Sequence, residues 1–189
     1  MRGSIIKKHP LISSSASNQV LAGLSLIMQN QARVFGKRLY HKFGLGLDAV
    51  SPHSVNTMYW SECCKSILDN TNAIGAVINM MPFNERCILL FEKDVVYSLV
   101  ESMLGGSKGF HPLRIEEREF SPFERSLLES ITGLAMTTLK KSFLPVVEIK
   151  CVLEKLDSKP SASLALLPQD MVTVSDLTVI IIIFDSDLG

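Results

Sequence analysis

The sequence lacks the features that mark exported, membrane-spanning or strongly charged proteins. Its 19 basic and 19 acidic side chains cancel to a formal net charge of zero, so nothing attracts nucleic acid or an anionic membrane over long range. The N-terminus is basic but has no continuous apolar stretch of the kind a signal peptide needs. The most apolar run, residues 177–184, is far shorter than the roughly 20 residues of a membrane-spanning helix. These absences argue against export, a membrane span and nucleic-acid binding.

Signatures of common enzyme and metal sites are also missing. The four cysteines form no C-x-x-C pair, which favours free thiols in a reducing compartment. The run GGSKGF, residues 105–110, follows a helical pattern, whereas a phosphate-binding loop lies between a strand and the helix it opens. The four histidines are scattered, and no nucleophile, base and acid form a known linear motif. The sequence therefore predicts no cofactor, no metal and no small-molecule substrate.

Apolar periodicity predicts two long helices. Asn18 is suited to cap the first, in which apolar residues recur at spacings of three and four over residues 20–43 until glycines follow. The sequence SPFE, residues 121–124, is a capping box that opens the second helix, which runs to about Leu144. A chain of 189 residues with 47% hydrophobic residues is long enough to bury a core between such helices and a sheet.

Strand patterns and turns complete the expected organisation. Residues 73–81 and 86–92 are predicted to form a hairpin through the turn PFNE, followed by a helix over residues 93–104. A short helix is expected at residues 59–68. Further strands are expected at residues 146–156, 163–167 and 171–184.

The order of these elements repeats weakly between the two halves of the chain. On this alignment the strand over residues 171–184 lacks its hairpin partner and leaves an exposed edge that favours self-association. The expected fold is α/β (α+β), a pseudo-two-fold, three-layer arrangement of long helices flanking a mixed, antiparallel-rich sheet, incomplete at the C-terminus. Residues 1–17 are expected to be a flexible Ser-rich leader and residues 18–189 a single domain.

The stretch from residue 101 to residue 124 joins two helical segments and combines glycines with a burst of charge. Gly105 and Gly106 can adopt positive φ and let the backbone approach another surface, while Phe110 has no periodic apolar partner. One interpretation is a protein-binding loop, and the alternative is a solvated linker. The residues taken alone leave both open.

The same stretch resembles a known family. GGSKGFHPLRIEEREFSPFE, residues 105–124, is similar to the segment of flagellar motor switch proteins of the FliM type that reads G-G-D-G-R-F-H-T-R-V-E-G-R-E-F-T, and its most specific part is the R-E-F at residues 118–120. The first long helix is similar to that of the FliM middle domain, keeping Ala32, Arg33 and Phe35. The resemblance covers residues 18–189.

The resemblance implies a CheC-like, non-enzymatic scaffold of the rotor's C ring, cytoplasmic and peripheral at the inner-membrane face of the flagellar basal body, that contributes to rotation switching and chemotaxis. The implied partners are FliG and neighbouring FliM subunits, with FliN reached indirectly. By position, the residues that read FliG are Gly105, Gly106, Ser107, Lys108, Gly109 and Phe110. Both of the first two glycines and the phenylalanine match the family pattern, while residues 107–109 replace its D-G-R.

The resemblance also raises an enzymatic alternative, because the FliM middle domain is similar to CheC-type phosphatases that act on phosphorylated CheY. Their helices place a Glu and an Asn three residues apart to orient the attacking water. Here those positions hold Gln29 and Ala32 in the first helix, and Glu129 and Thr132 in the second, where Arg125 replaces the acid or serine. Neither copy has both groups. The N-terminal CheY-binding peptide and the FliN-like C-terminal domain of the family are not seen.

Overall fold

The structure of the protein is a computed structural model that describes residues 14–43, 54–69, 72–83, 85–103, 120–159, 164, 166–176 and 180–185. The helices are α1 (Ser14–Phe43), α2 (Trp60–Cys63), which continues as a π-helical turn (Cys64–Leu68), α3 (Lys93–Met103) and α4 (Pro122–Phe143). The strands are β1 (Ser54–Tyr59), β2 (Ala73–Met81), β3 (Glu85–Glu92), β4 (Lys150–Asp157), β5 (Met171–Asp176) and β6 (Ile180–Asp185).

The six strands form one sheet in the order β1-β5-β6-β3-β2-β4, in which every neighbouring pair is antiparallel. The hairpin predicted for β2 and β3 is confirmed, with Val77 opposite Ile88. The two halves of the chain meet where β3 pairs with β6, with Leu89 opposite Ile182.

The strand order supports the internal repeat. If β1, β2 and β3 are exchanged with β4, β5 and β6, the order of the sheet is reproduced in reverse. The β3–β6 pair then lies on a pseudo-two-fold axis, and β5–β6 is the counterpart of the hairpin β2–β3. The edges of the sheet are β1 and β4, which are also counterparts.

The prediction of one strand over residues 171–184 is wrong, because this run forms two strands that pair with each other, with Val174 opposite Ile183. β5 also pairs with β1, and β6 with β3, so neither strand has an open edge. The predicted self-association through this run loses its basis. When two consecutive strands are both interior strands of a sheet, both faces of each are covered and both are apolar. The sequence then shows one continuous apolar run and gives no sign of the turn between the strands.

Three further expectations need correction. The first helix begins at Ser14, so Asn18 lies inside it and cannot be its cap; serine and alanine do not stop a helix as glycine or proline does. The expected strand at residues 163–167 is absent from its described residues: Leu164 is buried in a bend, and Asp170 closes a turn onto Leu167. The expected short helix is shorter, because Tyr59 belongs to β1.

Alternation along the strands directs side chains to two cores, one on each face of the sheet. The face that carries Ile74, Ala76 and Ile78 is covered by α1, α3 and α4. The opposite face, which carries Ile88 and Leu90, is covered by α2, the π-helical turn and the segment around Leu164. The predicted three-layer α+β architecture is confirmed, with all three longer helices in one layer.

Candidate functional site

The predicted partner-binding residues Gly105, Gly106, Ser107, Lys108, Gly109 and Phe110 all lie outside the described residues, so their assignment stays a prediction. These six residues belong to a longer connecting loop, residues 104–119, and the structure describes the chain directly before and directly after it. α3 leads into it at Met103, whose side chain is 44% exposed, and the chain is described again from Phe120. Along α3, Val96 and Leu99 are buried and Val100 is half-buried.

An aromatic stack joins the segments on the two sides of the connecting loop. The ring of Phe120 lies on the ring of Tyr97 in α3, with centroids 5.4 Å apart and an interplanar angle of 28°. Tyr97 is buried, and Phe120 packs against the core on the sheet face that α1, α3 and α4 cover. Aromatic pairs of this kind contribute about 0.5–1.5 kcal/mol beyond the area they bury. Phe120 thus anchors the end of the loop, which gives a physical role to the phenylalanine of the R-E-F motif.

The capping box predicted at residues 121–124 is confirmed. The Ser121 backbone N–H donates to Oε2 of Glu124 at 2.7 Å, and the Glu124 N–H donates to Oγ of Ser121 at 3.3 Å. Pro122 occupies the first turn of α4, where its missing N–H costs nothing. The direction in which the chain leaves the loop is therefore set by α4, one residue after the aromatic anchor.

The helices α1 and α4 pack antiparallel, and two side-chain hydrogen bonds join them. Asn30 Nδ2 donates to Oγ of Ser142 at 3.4 Å, and Lys42 Nζ donates to Oγ of Ser130 at 2.7 Å. Asn30 and Ser130 are equivalent under an offset of 100 positions (130 − 30), and so are Lys42 and Ser142 (142 − 42). The two hydrogen bonds therefore join equivalent pairs of positions, with the donor and acceptor positions exchanged.

The same offset relates the buried faces of the two helices. The matched buried positions are Met28 and Leu128, Gln31 and Ile131, Ala32 and Thr132, Phe35 and Ala135, and Leu39 and Leu139. Most of these pairs combine residues of similar size, whereas Phe35 and Ala135 differ strongly. The internal repeat is thus visible in the burial pattern although most residue identities differ.

The positions that correspond to a CheC-type phosphatase site do not form a catalytic pair. Ala32 and Thr132 are both 0% exposed, so the positions expected to hold the amide face the core rather than solvent. Thr132 Oγ1 donates to the carbonyl oxygen of Leu128 at 2.8 Å. Gln29 and Glu129 are exposed, one on each helix, without the amide partner that the reaction needs. Each copy offers at most one suitable group.

The cysteines are free and unactivated. Burial, with smaller effects from Cys64 and Glu62, raises the pKa of Cys63 to about 12, and burial raises the pKa of Cys151 to about 11. Both thiols are therefore protonated near neutral pH and poor nucleophiles. Within the described part of the chain, no three His, Cys, Asp or Glu residues are grouped as metal ligands, and every helix is too short or too polar to cross a bilayer.

Sequence reasoning missed the contacts that join the elements around the loop. No sequence pattern identifies Tyr97 as the partner of Phe120, because the connecting loop separates the two residues in the chain. Asn30 and Lys42 were not singled out either. An alignment of the chain with itself at an offset of 100 positions could have found them, since it pairs Asn30 with Ser130 and Lys42 with Ser142.

Comparison with known proteins gives a consistent result. The family model described as flagellar motor switch protein FliM matches residues 17–185. Among curated relatives, the flagellar motor switch protein FliM of Caulobacter vibrioides is 30% identical over 88 residues, which cover 47% of this chain and 24% of that protein. The chain thus spans about a quarter of the length of this relative.

Solved structures share the fold. A chain of the FliG–FliM complex from H. pylori superposes with a TM-score of 0.76 at 20% sequence identity, covering 92% of this chain and 94% of that one. The FliM middle domain (51-229) from Vibrio alginolyticus gives a TM-score of 0.69 at 19% identity, covering 86% and 92%. At these identities the likeness concerns the fold alone.

Proposed function

Because this chain belongs to the FliM family of flagellar motor switch proteins, we propose that it is a non-enzymatic subunit of the rotor's C ring that binds FliG and neighbouring FliM subunits. The observation that carries the proposal is the family match over residues 17–185, nearly the whole chain. The corresponding location is the cytoplasmic face of the inner membrane at the flagellar basal body. Such a subunit contributes to switching the direction of rotation and, through it, to chemotaxis.

The surface proposed to read FliG is the loop from Gly105 to Phe110. This surface lies within the connecting loop, residues 104–119, and the way the segments on either side of that loop are held supports the role. The stack of Phe120 on Tyr97 and the capping box at Ser121 tie the exit of the loop to α3 and α4. A binding loop on a rigid base loses less conformational freedom on association than a free one. This anchoring is the structural observation that supports the binding interpretation.

The scaffold role is favoured over phosphatase activity by the burial of position 32 and position 132. An Asn placed at either position has its amide in the core, where it cannot order an attacking water. We therefore propose that this chain does not hydrolyse phosphorylated CheY.

The test is capture of purified FliG by the tagged chain, with two aspartate substitutions compared. Gly106→Asp puts a charged side chain in the proposed contact, so we expect capture to fall at least about tenfold. Gly23→Asp is the matched control, since a side chain at this exposed helical glycine meets nothing within 4 Å. It is expected to capture FliG like the wild type.

Two outcomes contradict the proposal in different ways. Undiminished capture by Gly106→Asp refutes the loop assignment, while no capture by the wild-type chain refutes FliG binding. A parallel assay of phosphorylated CheY decides the enzymatic alternative, because hydrolysis above the spontaneous rate contradicts the scaffold reading.

A further inference from the structure

The charge of this neutral chain is separated in space. α1 has four basic residues and no acidic residue, and α4 has three basic and two acidic residues. The helix pair therefore carries a net charge of +5 (seven basic minus two acidic), and the rest of the chain carries −5 because the total is zero. The helix pair is thus a positive surface on a neutral protein.

Four of these cations lie where the two helices overlap, and we call them the basic face: Arg33, Lys37, Lys140 and Lys141. All four are exposed. Arg33 and Lys37 lie one turn apart on the side of α1 away from its buried stripe. Lys140 and Lys141 directly precede Ser142, which the contact with Asn30 places beside the same part of α1. The described residues include no carboxylate that forms an ion pair with any member of this basic face.

Arg33 is held in place by a short hydrogen-bond network. Its Nη2 donates to Oδ1 of Asn30 at 2.9 Å, and Asn30 Nδ2 donates to Oγ of Ser142 on α4. The guanidinium is therefore tied across the groove between the two helices, and among the described residues only Asn30 accepts a hydrogen bond from it. Guanidinium groups fixed in this way are suited to bidentate recognition of carboxylates.

We propose that the basic face docks an acidic helix of another protein, laid along the groove between α1 and α4. Carboxylates one turn apart on such a helix match the spacing of Arg33 and Lys37 on α1. A lipid surface fits less well, because helices that bind membranes insert an apolar face and the apolar stripe of α1 is buried in the core. The inference goes beyond FliG binding and does not depend on the glycine loop.

The test uses a fluorescent Ala-rich helical peptide with Glu residues spaced four apart, and the same peptide with Gln in place of Glu. We expect the wild-type chain to bind only the Glu peptide, with affinity that falls as ionic strength rises. The double variant Arg33→Glu/Lys37→Glu should bind at least about tenfold more weakly. The control Lys65→Glu/Lys159→Glu makes the same charge change on exposed lysines outside the helix pair, with Lys65 on the π-helical turn that covers the opposite face of the sheet, and it should change affinity less than about twofold.

A third variant separates positioning from charge. Asn30→Ala keeps the net charge but releases Arg33 from α4, so we expect affinity to fall about threefold to tenfold. Circular dichroism of each variant verifies folding, and Asn30→Ala supplies the test if the double variant does not fold. Equal loss in the two double variants, or no binding of the Glu peptide by the wild type, overturns the proposal. Binding to phosphatidylserine vesicles without binding of the Glu peptide also overturns it, in favour of a membrane surface.

Discussion

The two long helices occupy equivalent places in the fold, yet they resemble each other on only one side. Toward the sheet, five positions of α1 and their counterparts in α4 are all buried. Toward solvent, Arg33 corresponds to Gly133 and Lys37 to Thr137. The buried sides are constrained by a sheet that is itself nearly symmetric, and the outer sides are not. A repeat of this kind keeps its packing while one copy carries charges at outer positions where the other has neutral residues.

The largest expected effect tests whether the buried sides are truly equivalent. Leu39 and Leu139 are the same residue at matched positions, and both are fully buried. Leu39→Ala and Leu139→Ala should each lower the free energy of unfolding by about 2–5 kcal/mol, because each leaves a cavity in the same core. Urea denaturation measures both. A difference larger than about 2 kcal/mol between them would show that the helices do not share one packing environment.

A smaller effect is expected where the buried sides differ in polarity. Gln31 donates through Nε2 to the carbonyl oxygen of Ala135 at 3.2 Å, but its Oε1 has no hydrogen-bond partner among the described residues. Gln31→Leu removes this unpaired oxygen and should leave stability unchanged or raise it by about 1 kcal/mol. Ile131→Gln, the reciprocal change, should destabilise by about 2–3 kcal/mol. Thermal unfolding of the two variants compares them, and destabilisation by both would show that Gln31 is needed where it is.

The start of α4 offers the next prediction, because its capping box is fully formed. Ser121→Ala leaves the Glu124 N–H without its acceptor and should cost about 1 kcal/mol. Ser126→Ala, at an exposed position inside the same helix, is the control and should change stability by less than about 0.5 kcal/mol. Chemical denaturation distinguishes them; equal effects would mean that the cap adds nothing to stability.

The smallest effect concerns the two symmetric hydrogen bonds between the helices. The bond from Lys42 to Ser130 is exposed, and the bond from Asn30 to Ser142 is partly buried. Double-mutant cycles with alanine should give a coupling energy below about 0.5 kcal/mol for the first pair and about 0.5–1 kcal/mol for the second. The reverse order of the two couplings would contradict the assignment of Asn30 as the link that holds Arg33.

Short-range chemistry was sufficient for the elements that could be predicted. The capping box needs only Ser121, Pro122 and Glu124 within one turn. The hairpin of β2 and β3 needs only two apolar strands and a tight turn. Both can therefore be predicted from residues that are close together in the chain. The family resemblance likewise rests on a contiguous motif, of which Phe120 is the described part. The loop residues before it were assigned by position in that motif alone.

Contacts between distant residues settled the rest. Whether residues 171–184 form one strand or two depends on partners in β1 and β3, which lie far away in the chain. The stack of Phe120 on Tyr97 and the burial of Ala32 and Thr132 both require the helices to be docked. So does the placement of the four cations of the basic face where α1 and α4 overlap. Apolar periodicity states which side of a segment is buried, but the burying surface belongs to another segment, and the free energy that selects it comes from the packed core as a whole.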